Sequence, residues 1–224
     1  MKAVSLLSGG KDSFLSLNIA TMLGMDVVAT ITVLPKEDSY MFHHPNASLG
    51  SVVSQCLGIR NITSGEEEFE SVISTFGGHL LVAGAVRSDY QRSKLEEICV
   101  KYGLVPFFPL WRREDEQILL EFIDSGSRGI FTSVAAEGLD ESLLGKEIDQ
   151  NTLKTLKSAR ERYGISLVGE GGEYETLVIC STFESCCIAI DSSSVVDRGL
   201  QKNLMIKKYR VIPLSGSEKR PTDP

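Results

Sequence analysis

The chain has no Cys-x-x-Cys pair, no apolar run near the roughly 18 residues that a membrane span needs, and fewer basic than acidic side chains. Each absence excludes a class. The balance of 23 Lys and Arg against 30 Asp and Glu gives a net charge of −7, so the surface repels phosphate backbones and no long nucleic acid is expected as a partner. The five cysteines, Cys56, Cys99, Cys180, Cys186 and Cys187, are odd in number. They read as free thiols in a reducing compartment rather than as a disulfide framework, a zinc site or an iron–sulfur site. The opening MKAVSLL is too short for a signal-peptide core before SGGKDS interrupts it, and no membrane association is expected. The expected location is cytoplasmic. At 42% hydrophobic and 24% charged residues the composition is that of an ordinary globular protein, with no internal repeat and no Gly/Ser linker.

What is present is an alternation of strand-like and helical patterns. Ala3 to Leu7 is a short apolar run, broken by Ser8-Gly9-Gly10 and followed by Phe14, Leu15, Leu17, Ile19 and Leu23 at mostly helical spacing. DVVATITVLP predicts a second buried strand. NASLGSVVSQCLGI predicts a helix capped by Asn46, and EEEFESVISTF another. LLVAGAV predicts a third strand, with a long helix over SDYQRSKLEEICVKYG. Such alternation implies an α/β fold with a parallel sheet covered by helices on both faces. Past Gly103 the pattern becomes α+β with a β-rich end, where ETLVICSTF, CCIAIDS and NLMIKKYRVIPL are spaced like a meander. A boundary is expected there, dividing residues 1–103 from 104–224.

The stretch SLLSGGKDSFLSL sets two glycines, a lysine and an aspartate between the first strand and its helix. A Walker A loop would need Gly where Ser5 stands and Ser or Thr where Asp12 stands. The dinucleotide fingerprint fails as well, because Gly9 and Gly10 are adjacent. The setting is still that of an anion site: glycines admit close backbone approach, Ser8 and Ser13 add hydroxyls, and helix N-terminal amides face the ligand. The plainer alternative is that the serines only cap the helix. If phosphate binds, Asp12 would repel it unless a divalent cation lies between, which implies Mg²⁺.

SGGKDS directly after a first strand resembles, at every position, the pyrophosphate loop (PP-loop) of the N-type ATP pyrophosphatases. That superfamily cleaves ATP between its α- and β-phosphates and adenylates a substrate oxygen. The resemblance implies a Rossmann-like, HUP-type sheet, with ATP and Mg²⁺ as cofactors. It implies that Ser8, Gly9, Gly10, Lys11, Asp12 and Ser13 bind the departing pyrophosphate, with Asp12 as the metal ligand and adenine held near Thr30 to Val33.

Other segments narrow the family. GEGGEYETLV resembles the E-G-G-E-[YF]-E-T signature of the diphthine–ammonia ligases, GAVRSDYQRSKLEEIC resembles their G-A-[IV]-x-S-x-Y-Q-R segment, and PLW, SYMFHHPN and GLDESLLGKEID have counterparts there. The resemblance runs from Ala3 to about Leu177. It implies ATP-dependent amidation of diphthine on translation elongation factor 2, through an acyl-adenylate that ammonium attacks, with AMP and pyrophosphate released. Asp12, Lys11 and Glu173 would then be catalytic. Ser88, Tyr90, Gln91, Trp111, Glu170, Gly171, Gly172, Glu173, Tyr174, Glu175, Thr176 and His43 would bind substrate. Diphthine carries a trimethylammonium, which suggests a cage of Tyr174, Trp111, Tyr90 and the glutamates. In an extended strand Glu173 and Glu175 would share one face. A bland solvent-facing edge strand is the alternative for this segment. A tRNA-modifying enzyme of the same superfamily and a non-catalytic ATP-binding regulator are the competing functional readings.

Overall fold

The computed structural model describes residues 1–34 and 46–214, so His43 lies outside the described residues. Strands β1 (Lys2–Leu6), β2 (Asp26–Leu34), β3 (Asn61–Gly65), β4 (Leu80–Val82) and β5 (Val105–Phe107) form one parallel sheet in the order β3-β2-β1-β4-β5. The order reverses between β1 and β4. In open α/β sheets, the crevice at such a reversal is where ligands bind.

Side-chain alternation splits the sheet's two faces. Val4, Ile31 and Leu81 pack with Phe69 and Ile73 of α3 (Glu66–Ser74) and with Leu95 and Ile98 of α4 (Asp89–Tyr102). Ala3, Leu80 and Val82 point the other way and meet Ala20 of α1 (Lys11–Met22). Helix α4 starts where Ser88 accepts from the Gln91 N–H and stops at Gly103, whose φ of 70° ends it in a left-handed turn. β3 is an element that the sequence pattern does not announce. Its residues NITSG are mostly polar, and Asn61 is held by donating to the Thr30 and Thr32 hydroxyls at 2.9 Å each.

The second sheet is antiparallel: β6 (Arg128–Val134), β7 (Tyr174–Cys180), β8 (Cys186–Asp197) and β9 (Lys202–Pro213) run in the order β7-β6-β9-β8. The meander expectation is corrected here, since β9 inserts between β6 and β8. Spacing along the chain carries no information on which edge a hairpin joins; that is decided by Ser133 and Val134 pairing with Asn203 and Lys202. The two sheets share a core. Phe14 of α1, Phe122 of α5 (Asp115–Asp124) and Phe131 of β6 are fully buried in one cluster, each stabilising by about 1.5–3 kcal/mol relative to exposure.

Asn46 does not cap its helix. Ser48 precedes α2 (Leu49–Cys56), while the Asn46 amide donates to the Leu204 carbonyl and accepts from the Ile206 N–H, tying the segment to β9. The cysteine expectation is also corrected. Cys56 pairs with Cys186 and Cys180 with Cys187, leaving Cys99 free and buried. Adjacent strand residues face opposite ways, so Cys186 reaches α2 while Cys187 meets Cys180 across the turn. Among the described residues no helix is long and apolar enough to cross a membrane.

Candidate active site

A cavity of about 460 Å³ opens at the sheet's reversal point, lined by the turn after β1, the ends of β2 and β4, the start of α4 and residues 168–172 and 174–176. The turn is compact. Gly9 has φ +89°, a conformation that favours glycine, and a Cβ there would also stand a tight 3.2 Å from the Gly50 Cα and from Leu177. The Ser8 and Ser13 hydroxyls share a 3.0 Å hydrogen bond, and Ser8 also accepts from the Gly10 N–H. The N-cap residue of α1 is Gly10, which has no side chain to cap the helix that begins at Lys11. The first turn of the helix, from Lys11 to Ser13, lines the cavity, and a helix N-terminus is where an anion is favoured.

The turn is braced by β7 from the other sheet. The Val178 N–H donates to the Gly9 carbonyl at 2.8 Å, and the Lys11 N–H donates to the Thr176 hydroxyl at 3.1 Å. Lys11 is buried; its ammonium donates to Asp12 at 2.9 Å and to the Val168 carbonyl, and lies over the Tyr174 ring. Burial alone would lower the Lys11 pKa, yet Asp12, Tyr174 and Glu175 together raise it above the usual value. The ammonium stays charged.

Asp12 is pushed above the ordinary carboxylate range, chiefly by burial and against the pull of Lys11. Its Oδ2 pairs with Lys11, while Oδ1 is buried without a hydrogen-bond partner. An orphaned carboxylate oxygen beside an anion seat fits a cation that bridges it to bound phosphate. Among the described residues no three His, Cys, Asp or Glu side chains gather into an all-protein cage. One carboxylate plus ligand oxygens is the coordination Mg²⁺ favours.

The glutamates of EGGEYET separate into different roles. Glu175 lines the cavity, and burial pushes its carboxyl up to about 8. Glu170 also lines it, but its Oε1 is engaged, accepting from the Arg87 N–H at 3.1 Å and the Ser88 N–H at 2.8 Å at the head of α4. Glu173 lies before β7 rather than in it, so it does not share a face with Glu175. Its carboxylate folds back onto its own loop, accepting from the Ser166 and Gly171 N–H groups at 2.9 and 2.8 Å. It does not line the 460 Å³ cavity, and the paired-face expectation is corrected.

Other expected residues also scatter. Val33 lines the cavity, whereas Thr30, on the opposite side of the strand's alternation, is fully buried with its hydroxyl 2.7 Å from that of Ser54. Ser88, Tyr90, Gln91, Gly171, Gly172 and Thr176 line the cavity. The aromatic cage does not assemble. Tyr174 is buried, donates its hydroxyl to the Leu167 carbonyl and packs edge-on against Phe131, while Trp111 has the Arg92 and Arg112 guanidinium carbons 4.7 and 5.5 Å from its ring centre. Gly84 is a residue that sequence reasoning did not single out. A Cβ there would meet the Ser13 nitrogen at 2.6 Å, because the end of β4 presses directly on the turn; a glycine closing a predicted strand was the available signal.

Family models describing the diphthamide synthase N-terminal and C-terminal domains match residues 1–106 and 114–212. A diphthine–ammonia ligase of Bos taurus is 30% identical over 261 residues, covering 98% of this chain and 94% of its own length. One from Danio rerio is 31% identical over 228 residues, covering 88% and 89%. A solved structure described as a predicted subunit of a tRNA methyltransferase from Methanocaldococcus jannaschii is 17% identical and covers 81% of this chain and 98% of its own, with a TM-score of 0.46. That likeness is too loose to carry an argument.

Proposed function

The chain belongs to the diphthamide synthase family, and on that premise we propose that it amidates diphthine on translation elongation factor 2, using ATP and free ammonium and releasing AMP and pyrophosphate. The observation that carries the reading is the orphaned Asp12 Oδ1 beside a charged, buried Lys11 at the first turn of α1, in the crevice where the strand order reverses.

A carboxylate is a poor acyl donor until one of its oxygens is joined to a good leaving group. In the proposed reaction the diphthine carboxylate attacks the α-phosphorus of ATP, the bond to the bridging oxygen breaks, and pyrophosphate departs. Ammonia then adds to the acyl carbon and AMP leaves. The turn's amides and the Lys11 ammonium hold the departing phosphates, a charge arrangement formed before reaction and needing no reorganisation during it. Mg²⁺, which Asp12 would hold, supplies charge neutralisation at the phosphate oxygens. The apolar wall of Leu6, Ile31, Val33 and Ala83 suits a purine. Glu170 and Glu173 shape the 166–173 loop through backbone hydrogen bonds rather than through the chemistry.

The test mixes the chain with ATP, Mg²⁺, ammonium and diphthine-bearing elongation factor 2. Mass spectrometry of the modified histidine is expected to show a loss of about one mass unit matched by AMP, with Asp12→Asn lowering the rate by roughly 10²–10³-fold. A folded, ATP-bound wild type that never forms AMP would sink the reading and bring the ATP-binding regulator forward.

A further inference from the structure

A second cavity, of about 540 Å³, abuts the first and shares Ser88, Glu170 and Gly171 with it as a common wall. The proposed reaction does not assign it. Amidation brings two large partners together at one phosphorus. The first cavity is lined by the glycine turn and by the apolar side chains of Leu6, Ile31, Val33 and Ala83, and on the reading above it takes the nucleotide. The carboxylate to be activated must arrive from an adjoining space.

The hydrogen-bonding groups around that space, and which of them are already engaged, decide what it receives. Its three carboxylates are engaged within the protein. Glu170 accepts from the Arg87 and Ser88 amides, Glu173 from the Ser166 and Gly171 amides, and Asp115 from the Arg87 Nε at 2.9 Å and the Ser166 hydroxyl at 3.4 Å. The arginines keep spare donors. Arg160 has no ion pair among the described residues, and beyond its Asp115 bond the Arg87 guanidinium makes only a 3.4 Å contact to the Arg113 carbonyl. Both are exposed. A guanidinium fork matches a carboxylate in geometry as well as charge, and with the three carboxylates of this wall already bonded, the unspent donors of Arg160 and Arg87 are what it offers to an incoming carboxylate.

We propose that this second cavity is the port through which a protein side chain ending in a carboxylate reaches the nucleotide, with Arg160 and Arg87 at its rim guiding that carboxylate. The proposal rests on the amidation reading above. Arg160 stands in the last turn of α6 (Gln150–Tyr163), where a cation also suits the helix dipole, so the experiment must separate a port from a favourable helix end.

The experiment titrates diphthine-bearing elongation factor 2 against the ATP-loaded enzyme, a binding measurement that needs no turnover, using wild type, Arg160→Glu and Arg160→Lys. Arg160→Glu is expected to weaken binding of the elongation factor, and to raise its KM, at least about tenfold. The KM for ATP is expected to stay within about twofold, and Arg160→Lys to recover most of the loss. Unchanged or tighter binding of the elongation factor by Arg160→Glu would overturn the port. Wild type that binds the elongation factor through Arg160 without forming AMP would overturn the amidation reading and leave the port standing.

Discussion

The Lys11 backbone N–H donates to the Thr176 hydroxyl at 3.1 Å across 165 residues of chain, so the glycine turn after β1 is completed by a strand of the other sheet. Thr176→Val keeps the side-chain shape and leaves that buried N–H without its acceptor. We expect a loss of about 1–3 kcal/mol in denaturant unfolding, together with a higher KM for ATP. Thr176→Ser restores the hydroxyl and is expected to recover most of both effects; equal behaviour of the two variants would refute the bracing role.

Gly84 tests the contact between β4 and the turn. Its Cβ would overlap the Ser13 nitrogen and the Asp12 carbonyl carbon, at 2.6 and 2.7 Å, and both are backbone atoms that cannot swing aside. Gly84→Ala is therefore expected to destabilise by about 1–3 kcal/mol. It should also weaken Mg·ATP binding more strongly than a comparable change on the far side of the sheet, as calorimetric titration would read.

Glu184 should leave a mark on the pH dependence of stability. It is 6% exposed, its Oε2 has no hydrogen-bond partner, and burial pushes its carboxyl from the ordinary range up to about 8, against the pull of the Ser181 hydrogen bonds. Below the unfolded-state value of about 4.5 both states hold the proton. As pH rises from there towards 8 only the unfolded chain releases it, so folding stability falls across that window. Glu184→Gln is expected to flatten the fall and to be more stable at pH 8 by on the order of 1–2 kcal/mol, as thermal unfolding between pH 4.5 and 8 would measure.

The Cys56–Cys186 pair closes a span of 130 residues between α2 and β8. Reduction is expected to lower stability by about 2–4 kcal/mol through the freer unfolded chain. The local contact should survive, because the Ser185 N–H and hydroxyl both donate to the Cys56 carbonyl, at 2.7 and 2.9 Å. Activity at moderate temperature should thus persist under reductant while the melting temperature drops.

Much of the site was legible because it is local. SGGKDS holds its two glycines, lysine, aspartate and serines in one turn, and strand–turn–helix order places that turn at the end of a parallel strand. The glutamates were less legible. Whether Glu173 or Glu175 faces the cavity depends on where β7 begins, and a loop containing Gly171 and Gly172 turns Glu173 back before the strand starts at Tyr174. Tyr174 and Trp111 look free in sequence, yet Lys11 and Arg92, brought from other segments, lie over their rings, and Trp111 also has its neighbour Arg112 against it.

The sequence by itself determined the α/β alternation, the helix ends marked by Ser88 and Gly103, and the glycine turn between β1 and α1, since each depends on periodicity or on neighbours within a few residues. Only the tertiary structure decided that β3 exists as a polar edge strand, that β9 inserts beside β6, that Cys56 meets Cys186, and that Thr176 and Val178 complete the turn. Those features arise from hydrogen bonds and packing between segments far apart in the chain. A pattern with a period of two or 3.6 residues records which face of an element is buried, and not which other element will bury it.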